Sequence, residues 1–304
     1  MTRGSIGVLG PGLGVLSVLL LLLVGCGAGE GASAGEADEK VVIGYVDWEE
    51  SAAMAQLTKV ILEDELGYEN VELRRSEPDE VYRLISRDEV DAFQGAWLPN
   101  HFAYINEVDT DVSVLRSWLD GVTRQGIAVP DYTDIRSVEE LERAGIERII
   151  GPKPGSAAVV SDVPLAALAR FGVAADLTYP SADAMLEEVD RLYEERKPFA
   201  FVAWTPHWMS AEYDFEYLED PEERIRGFIK PMDIHTVVRE ELPEEDPVAH
   251  DLLEAMELGE YQMVDLQEEI RDAKSPEAGA KNWTRSNEDR IDVWVKHAEG
   301  RSKD

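Results

Sequence analysis

The chain has 304 residues, with 63 acidic residues against 29 basic, a formal net charge of −34 at pH 7 and a single cysteine. That balance excludes charge-driven binding to nucleic acid or to anionic lipid, and one cysteine excludes a disulfide framework within the chain. Acidic residues run along the whole length instead of gathering in one tail, a pattern that suits a surface meeting high salt, where screening suppresses self-repulsion.

In chain order, Arg3 precedes an apolar stretch that culminates in Leu19 to Val24 and ends in Leu23-Val24-Gly25-Cys26. About ten apolar residues fall short of the ~20 that a membrane span needs, and they suit a secretory signal. The small residue followed by cysteine resembles a bacterial lipobox, with Cys26 as the lipidated first residue of the mature chain. Residues 1–25 are expected to be a lipoprotein signal peptide, and 26–40, rich in Gly, Ala and Glu, a flexible tether.

Val41 to Val46 reads as a strand. Ser51 to Leu66 has helical apolar spacing and stops at Gly67. Val71 to Leu73 is a second strand, Pro78 to Ser86 a helix and Val90 to Phe93 a third strand. This β-α-β-α-β opening predicts a mostly parallel sheet covered by helices. A similar unit follows: a strand at Gly126 to Val129, and a helix at Ser137 to Arg143 opened by a Ser137/Glu140 capping box. After these come a strand at Arg148 to Ile150, helices at Asp162 to Phe171 and Ala182 to Glu195, and strands at Pro198 to Ala203 and Ile234 to Val238. Helices at His250 to Leu258, Tyr261 to Ala273 and Ile291 to His297 close the chain. The expected fold class is α/β with two lobes: 41–126 plus 235–304 as lobe one and 127–234 as lobe two. The crossings fall near Gln125–Pro130 and Ile229–Val237, and a ligand sits in the cleft between lobes.

Three tryptophans follow strand-like runs: Trp48 in YVDWEE, Trp97 in DAFQGAWLPN and Trp204 in PFAFVAWTPHW. In open α/β sheets ligands bind at the carboxyl ends of strands, so three indole faces there suggest an aromatic cage for a quaternary ammonium. Taken singly, each also reads as an ordinary core residue. Glu49 and Glu50 read either as a solvated helix start favoured by the helix dipole or, for one of them, as negative charge beside a cation. His207 and the Gly155-Ser156 turn are candidate hydrogen-bond donors to a ligand. Trp118, Trp208, Trp283 and Trp294 read as packing residues. No phosphate loop, nucleophile elbow, HExxH or Cys/His cluster is present, so neither catalytic residue, metal nor cofactor is expected.

The runs YVDWEESAAMAQLTKVILEDELGY, VDAFQGAWLPNHFAYI, VAWTPHWMSAEYDFEYLEDP and IHTVVR resemble the glycine betaine/choline substrate-binding proteins of ABC importers, the OpuAC/ProX-like family. The likeness extends from about Val41 to Val295. It implies a two-lobed periplasmic-binding-protein fold (type II) with the cage between the lobes. It places Trp48, Trp97 and Trp204 on cage positions and Glu50 where choline-binding members carry an acid. It puts His207 on the WxPH histidine and Ser156 after the PG turn. One departure stands out: 121–130 carries no aromatic where many members have a further cage ring, for which Trp118 or Tyr104 could substitute.

The expected function is an extracytoplasmic, lipid-anchored, monomeric receptor. It captures glycine betaine, choline, proline betaine or carnitine and delivers it to ABC permease subunits, with no chemical step. The alternative is a same-fold receptor for another zwitterionic solute, an amino acid or ectoine, since a primary ammonium would use Glu50 as a hydrogen-bond acceptor. An enzyme acting on betaine or choline would need a nucleophile, metal or redox cofactor for which the sequence offers no residues.

Overall fold

Short apolar runs alternating with helical stretches build the fold from Val41 onward. The computed structural model describes residues 40–108, 111–153, 174–222 and 231–300. Strand β1 (Val41–Tyr45) leads into α1 (Glu49–Val60), which continues as a π-helical turn at Ile61–Glu65. Next come β2 (Val71–Arg75), α2 (Pro78–Ile85), β3 (Ala92–Leu98), α3 (Phe102–Glu107), β4 (Val112–Ser117) and the short β5 (Leu119–Asp120). The middle of the chain forms β6 (Arg124–Pro130), β7 (Arg148–Pro152), β8 (Ala174–Tyr179), α4 (Ala182–Glu194), β9 (Ala200–Thr205), α5 (Met209–Glu212) and β10 (Phe215–Tyr217). The last part forms β11 (Asp233–Arg239), α6 (Leu242–Glu245), α7 (Pro247–Ala255), β12 (Leu258–Gly259), α8 (Glu260–Asp272), α9 (Pro276–Ser286) and α10 (Glu288–Ala298).

Two five-stranded sheets result, ordered β2-β1-β3-β11-β4 and β10-β6-β9-β7-β8. Both are mixed. In the first, β1 runs parallel to β2 and β3, while β11 is antiparallel to β3 and β4. In the second, β7 is parallel to β8 and β9, while β6 is antiparallel to β9 and β10. The expectation of a mostly parallel sheet holds only for β1 with β2 and β3 and for β7 with β8 and β9. Strand β11 re-enters the first sheet after the chain has visited the second, and it arrives from the opposite end.

At the centre of the sheets β3 and β9 are buried along every residue. A strand covered on both faces reads as a continuous apolar run, not an alternating one. Trp97 and Trp204 occupy the penultimate positions of these strands, so both lie inside the strand and not after it; Trp48 is the N-cap of α1.

The chain passes from the first sheet to the second between β5 and β6, and returns between β10 and β11. Thr123 and Met232 stitch the two crossings together. The buried Thr123 hydroxyl donates to the Met232 carbonyl (2.8 Å) and accepts from the Met232 N–H (2.7 Å). Thr123→Val strips both bonds and leaves a buried N–H and C=O unpaired. We expect a loss of about 2–3 kcal/mol, read as a lower midpoint in urea unfolding; an unshifted midpoint would mean the crossings are held elsewhere.

Other expectations are corrected. The stretch from Ser137 makes only a 3-10 turn at Val138–Glu140. Ser137 does cap it, accepting from the Glu139 N–H, but Glu140 accepts from the Arg136 N–H, one residue early for a capping box. The C-terminal region holds α9, which the spacing did not suggest. It packs on α8 so closely that a Cβ at Gly279 would lie 2.4 Å from the Ile270 Cα. The helix expected at 162–171 lies outside the described residues. Among the described residues no helix is long and apolar enough to cross a membrane.

Candidate functional site

The first turn of α1 is the centre of the site. Acidic side chains at a helix N-terminus are ordinary when solvated, but Glu50 is wholly buried. Its Oε1 accepts a hydrogen bond from the indole Nε1–H of Trp97 at 2.9 Å, while its Oε2 is buried with no protein partner. Burial, reinforced by the neighbouring charge of Glu49 and opposed by the Trp97 bond, pushes the Glu50 carboxyl up to about 8.

Glu49 points the other way. Burial alone would raise its carboxyl, but the His207 ring beside it outweighs that and holds it below its ordinary value. Glu49 Oε2 lies 3.2 Å from His207 Nε2, a contact between the first sheet's helix and the loop that follows β9 of the second. The distance is that of an ion pair, yet Nε2 lacks the alignment of a hydrogen bond. His207 Nδ1 accepts the Met209 N–H at 3.1 Å, which turns Nε2 toward Glu49. The same imidazole meets the Trp204 indole edge to face, with centroids 5.0 Å apart and planes at 77°.

Contacts thus connect four of the sequence-selected residues in one series: Trp97 to Glu50, then through the adjacent Glu49 to His207 and Trp204. Trp48, next to Glu49, is the fifth. Its ring lies 5.6 Å from that of His101. His101, which the sequence reading did not select, is buried, and its Nδ1 meets the Tyr82 hydroxyl at 2.8 Å and accepts the Trp97 N–H at 3.3 Å. Burial lowers it to about 4, so it stays neutral and positions Trp48 and Trp97 without adding charge. Its one signal in the sequence was the four-residue spacing from Trp97. Ser156 and Cys26 lie outside the described residues.

Trp97 and Trp204 are 0% and 1% exposed, so solvent does not reach their faces. Beside the site a cavity of about 390 Å³ opens, bounded by Trp48 and Glu49 on one side, Asp183 and Trp208 on another, and Gln267 and Arg271 of α8. Trp208, expected as a packing residue, lines this cavity with the Arg271 guanidinium 4.4 Å above its ring. Trp118 donates its indole N–H to the Gln94 carbonyl at 2.9 Å, and Trp283 to Asp265 at 2.8 Å. Both are buried core rings, as is Trp294. Tyr104 stacks on Tyr82, 5.7 Å away. The trio His250, Asp251 and Glu254 on α7 brings possible metal-ligand atoms within 4.8 Å, but its members are partly or largely exposed, as acidic surface groups commonly are.

The sequence model of the family described as the substrate-binding domain of ABC-type glycine betaine transport systems (OpuAC) matches residues 39–286. The chain belongs to this family. A curated relative, the glycine betaine/carnitine transport binding protein GbuC of Listeria monocytogenes, is 31% identical over 115 residues, 38% of this chain and 37% of that protein. The match therefore spans just over a third of the relative's length. Among solved structures, lactococcal OpuAC in its closed form with glycine betaine superposes with a TM-score of 0.70 at 26% identity, over 85% of this chain and 100% of that one. ProX of Borrelia burgdorferi gives 0.70 at 23% identity, over 86% and 99%, and a choline-binding protein in complex with choline gives 0.69 at 23%, over 84% and 91%. These neighbours are two-lobed substrate-binding proteins, and the two sheets described above form the same two-lobed α/β fold.

Proposed function

We propose that this protein is the extracytoplasmic receptor of an ABC importer that captures glycine betaine or a related quaternary ammonium, such as choline, proline betaine or carnitine, and hands it to the permease without chemical change. The observation that carries this reading is the series Trp97–Glu50–Glu49–His207–Trp204, which joins the two sheets at a buried site rich in indole and carboxylate. A methylated ammonium has no N–H to donate, so π faces and nearby negative charge are what recognise it, each ring contributing about 0.5–2 kcal/mol. Three rings with apolar burial account for several of the roughly 8 kcal/mol of micromolar affinity.

Because Trp97 and Trp204 are covered from solvent, a guest reaches them only when the lobes part, and closure over it completes the cage from both sides. The lobes are 41–126 plus 235–304, and 127–234; the strand limits favour drawing both boundaries slightly earlier, at Thr123 and Met232. We further propose that 1–25 is a lipoprotein signal, that Cys26 carries lipid and tethers a monomer to the membrane through 26–40, and that Ser156 adds a hydroxyl to the ligand's tail.

Titration with glycine betaine, choline and carnitine, followed by tryptophan fluorescence and calorimetry, tests the function. Saturable binding of at least one is expected. No response to any of them at millimolar concentration, with binding of ectoine or an amino acid instead, would establish the alternative in which Glu50 receives N–H donors.

A further inference from the structure

The cavity beside the tryptophan site holds a polar group that the quaternary-ammonium reading does not use. Gln267 of α8 lines it and is only 4% exposed. Its amide oxygen and its amide nitrogen are both buried with no protein partner. Buried polar groups are paired as a rule, so a carboxamide left with neither bond at a cavity wall points to a guest that supplies them.

The charges around this cavity are sorted by element. Three carboxylates line it: Asp47 and Glu49 from the β1–α1 turn and Asp183 from the first turn of α4. Burial pushes the Asp183 carboxyl up, and the charges of Glu49 and Asp47 add to that against the pull of His207. The three therefore repel one another, and a cation among them relieves the repulsion. Among the described residues, they are not gathered closely enough to hold one metal ion, a spacing met by His250, Asp251 and Glu254 alone. That favours an extended organic ammonium. The α8 wall carries donors instead. Arg271 follows Gln267 by one turn on the same helix face, with its guanidinium 4.4 Å above the Trp208 ring and 3.2 Å from Glu212 of α5. The 390 Å³ between these walls falls within the range of about 300–1,000 Å³ usual for small-molecule sites. Leu73, Ile270, Pro276 and the indoles of Trp48 and Trp208 give it apolar surface.

We propose that this cavity is a second solute site, separate from the tryptophan cage, that takes a zwitterionic α-amino acid with an apolar side chain. Asp183 and Glu49 hold its ammonium, the Gln267 amide donates to its carboxylate beside Arg271, and its side chain lies against the apolar wall. Glu49 and Gln267 belong to the first lobe and Asp183 and Trp208 to the second, so an occupant touching all four favours the closed arrangement.

The test is calorimetry on the full chain, with and without saturating choline. L-leucine is the probe, beside isoamylamine, which lacks its carboxylate, and 4-methylpentanoate, which lacks its ammonium. Leucine is expected to bind once per chain whether or not choline is present, and each analogue at least about tenfold more weakly, because a site built to hydrogen-bond a group rejects the analogue without it. Gln267→Leu removes two unpaired buried atoms and is expected to fold at least as well as the unsubstituted protein. It should weaken leucine by about tenfold or more and leave choline within about twofold. Asp183→Asn should weaken leucine and isoamylamine alike and spare 4-methylpentanoate. No leucine binding at millimolar concentration, displacement of leucine by choline, or leucine affinity unmoved in both variants would overturn the second site. Isoamylamine binding as tightly as leucine would overturn the zwitterion. Leucine binding that is sensitive to Gln267→Leu in a protein that ignores choline would overturn the cage and leave this site standing.

Discussion

On the proposed reading, the Trp204→Ala protein should bind glycine betaine and choline at least about tenfold more weakly than the unsubstituted protein. Two losses add. The direct one is the π face that the proposed cage sets on the ammonium. The indirect one is support for His207, whose imidazole leans edge-on against the indole and faces Glu49 across the lobes. Trp204 is also a fully buried ring in the central strand of its sheet, and truncating such a ring costs about 3–5 kcal/mol of stability. Affinity must therefore be measured well below the melting temperature of the variant, and Trp204→Phe serves as the companion that keeps an aromatic face. The expected order of affinity is unsubstituted, then Phe, then Ala. Unchanged affinity in the folded Ala variant would remove Trp204 from the site.

The second large effect is on pH. With Glu50 at about 8, its ordinary carboxyl value being 4.5, the empty site holds a proton on Glu50 at neutral pH. A cation placed beside it favours the ionised form, so binding below pH 8 expels that proton. Affinity for a quaternary ammonium should then rise from pH 6 to pH 8, by up to about tenfold per unit, and level off above. Glu50→Gln, which keeps the shape and can still accept from Trp97, should bind with a flat pH profile.

Stability carries the opposite sign. A group whose folded value is raised binds more protons folded than unfolded, so its contribution is fully present below pH 4.5 and is lost as pH rises through 8. At pH 9 the buried charge costs roughly 3–5 kcal/mol. Urea melts should find Glu50→Gln close to the unsubstituted protein at pH 5 and more stable at pH 9. Parallel melts across that range, with an unaltered pH profile of binding, would show that Glu50 is ionised throughout.

How far the site was legible follows from the kind of regularity each part obeys. Trp97 and Trp204 stood out because a strand buried on both faces is a continuous apolar run, and an indole near its end followed by proline breaks that run visibly. Their placement within the strands, one position from the end, depended on the ladder partners and not on local composition. Glu49 and Glu50 are ambiguous because a solvated helix start and a turn with one buried and one half-buried carboxylate have the same local sequence; only the packing of Trp97 and His207 onto that turn separates them. His101 has no comparable local signature, since its role consists entirely of contacts to Trp48, Tyr82 and Trp97.

By itself, the sequence determined the alternation of strands and helices, the two-unit organisation and the tryptophans at the sheet ends, because periodic burial and turn chemistry are local and repeat along the chain. It also carried the family likeness, since motifs such as AWLP and WTPHW are contiguous. The tertiary structure alone decided that Glu50 is buried against the Trp97 indole and that Glu49 meets His207 of the other sheet. Those properties arise from groups tens of residues apart being forced into one water-excluded space. Desolvation, cross-strand register and the contact between lobes exist only after the chain has closed on itself.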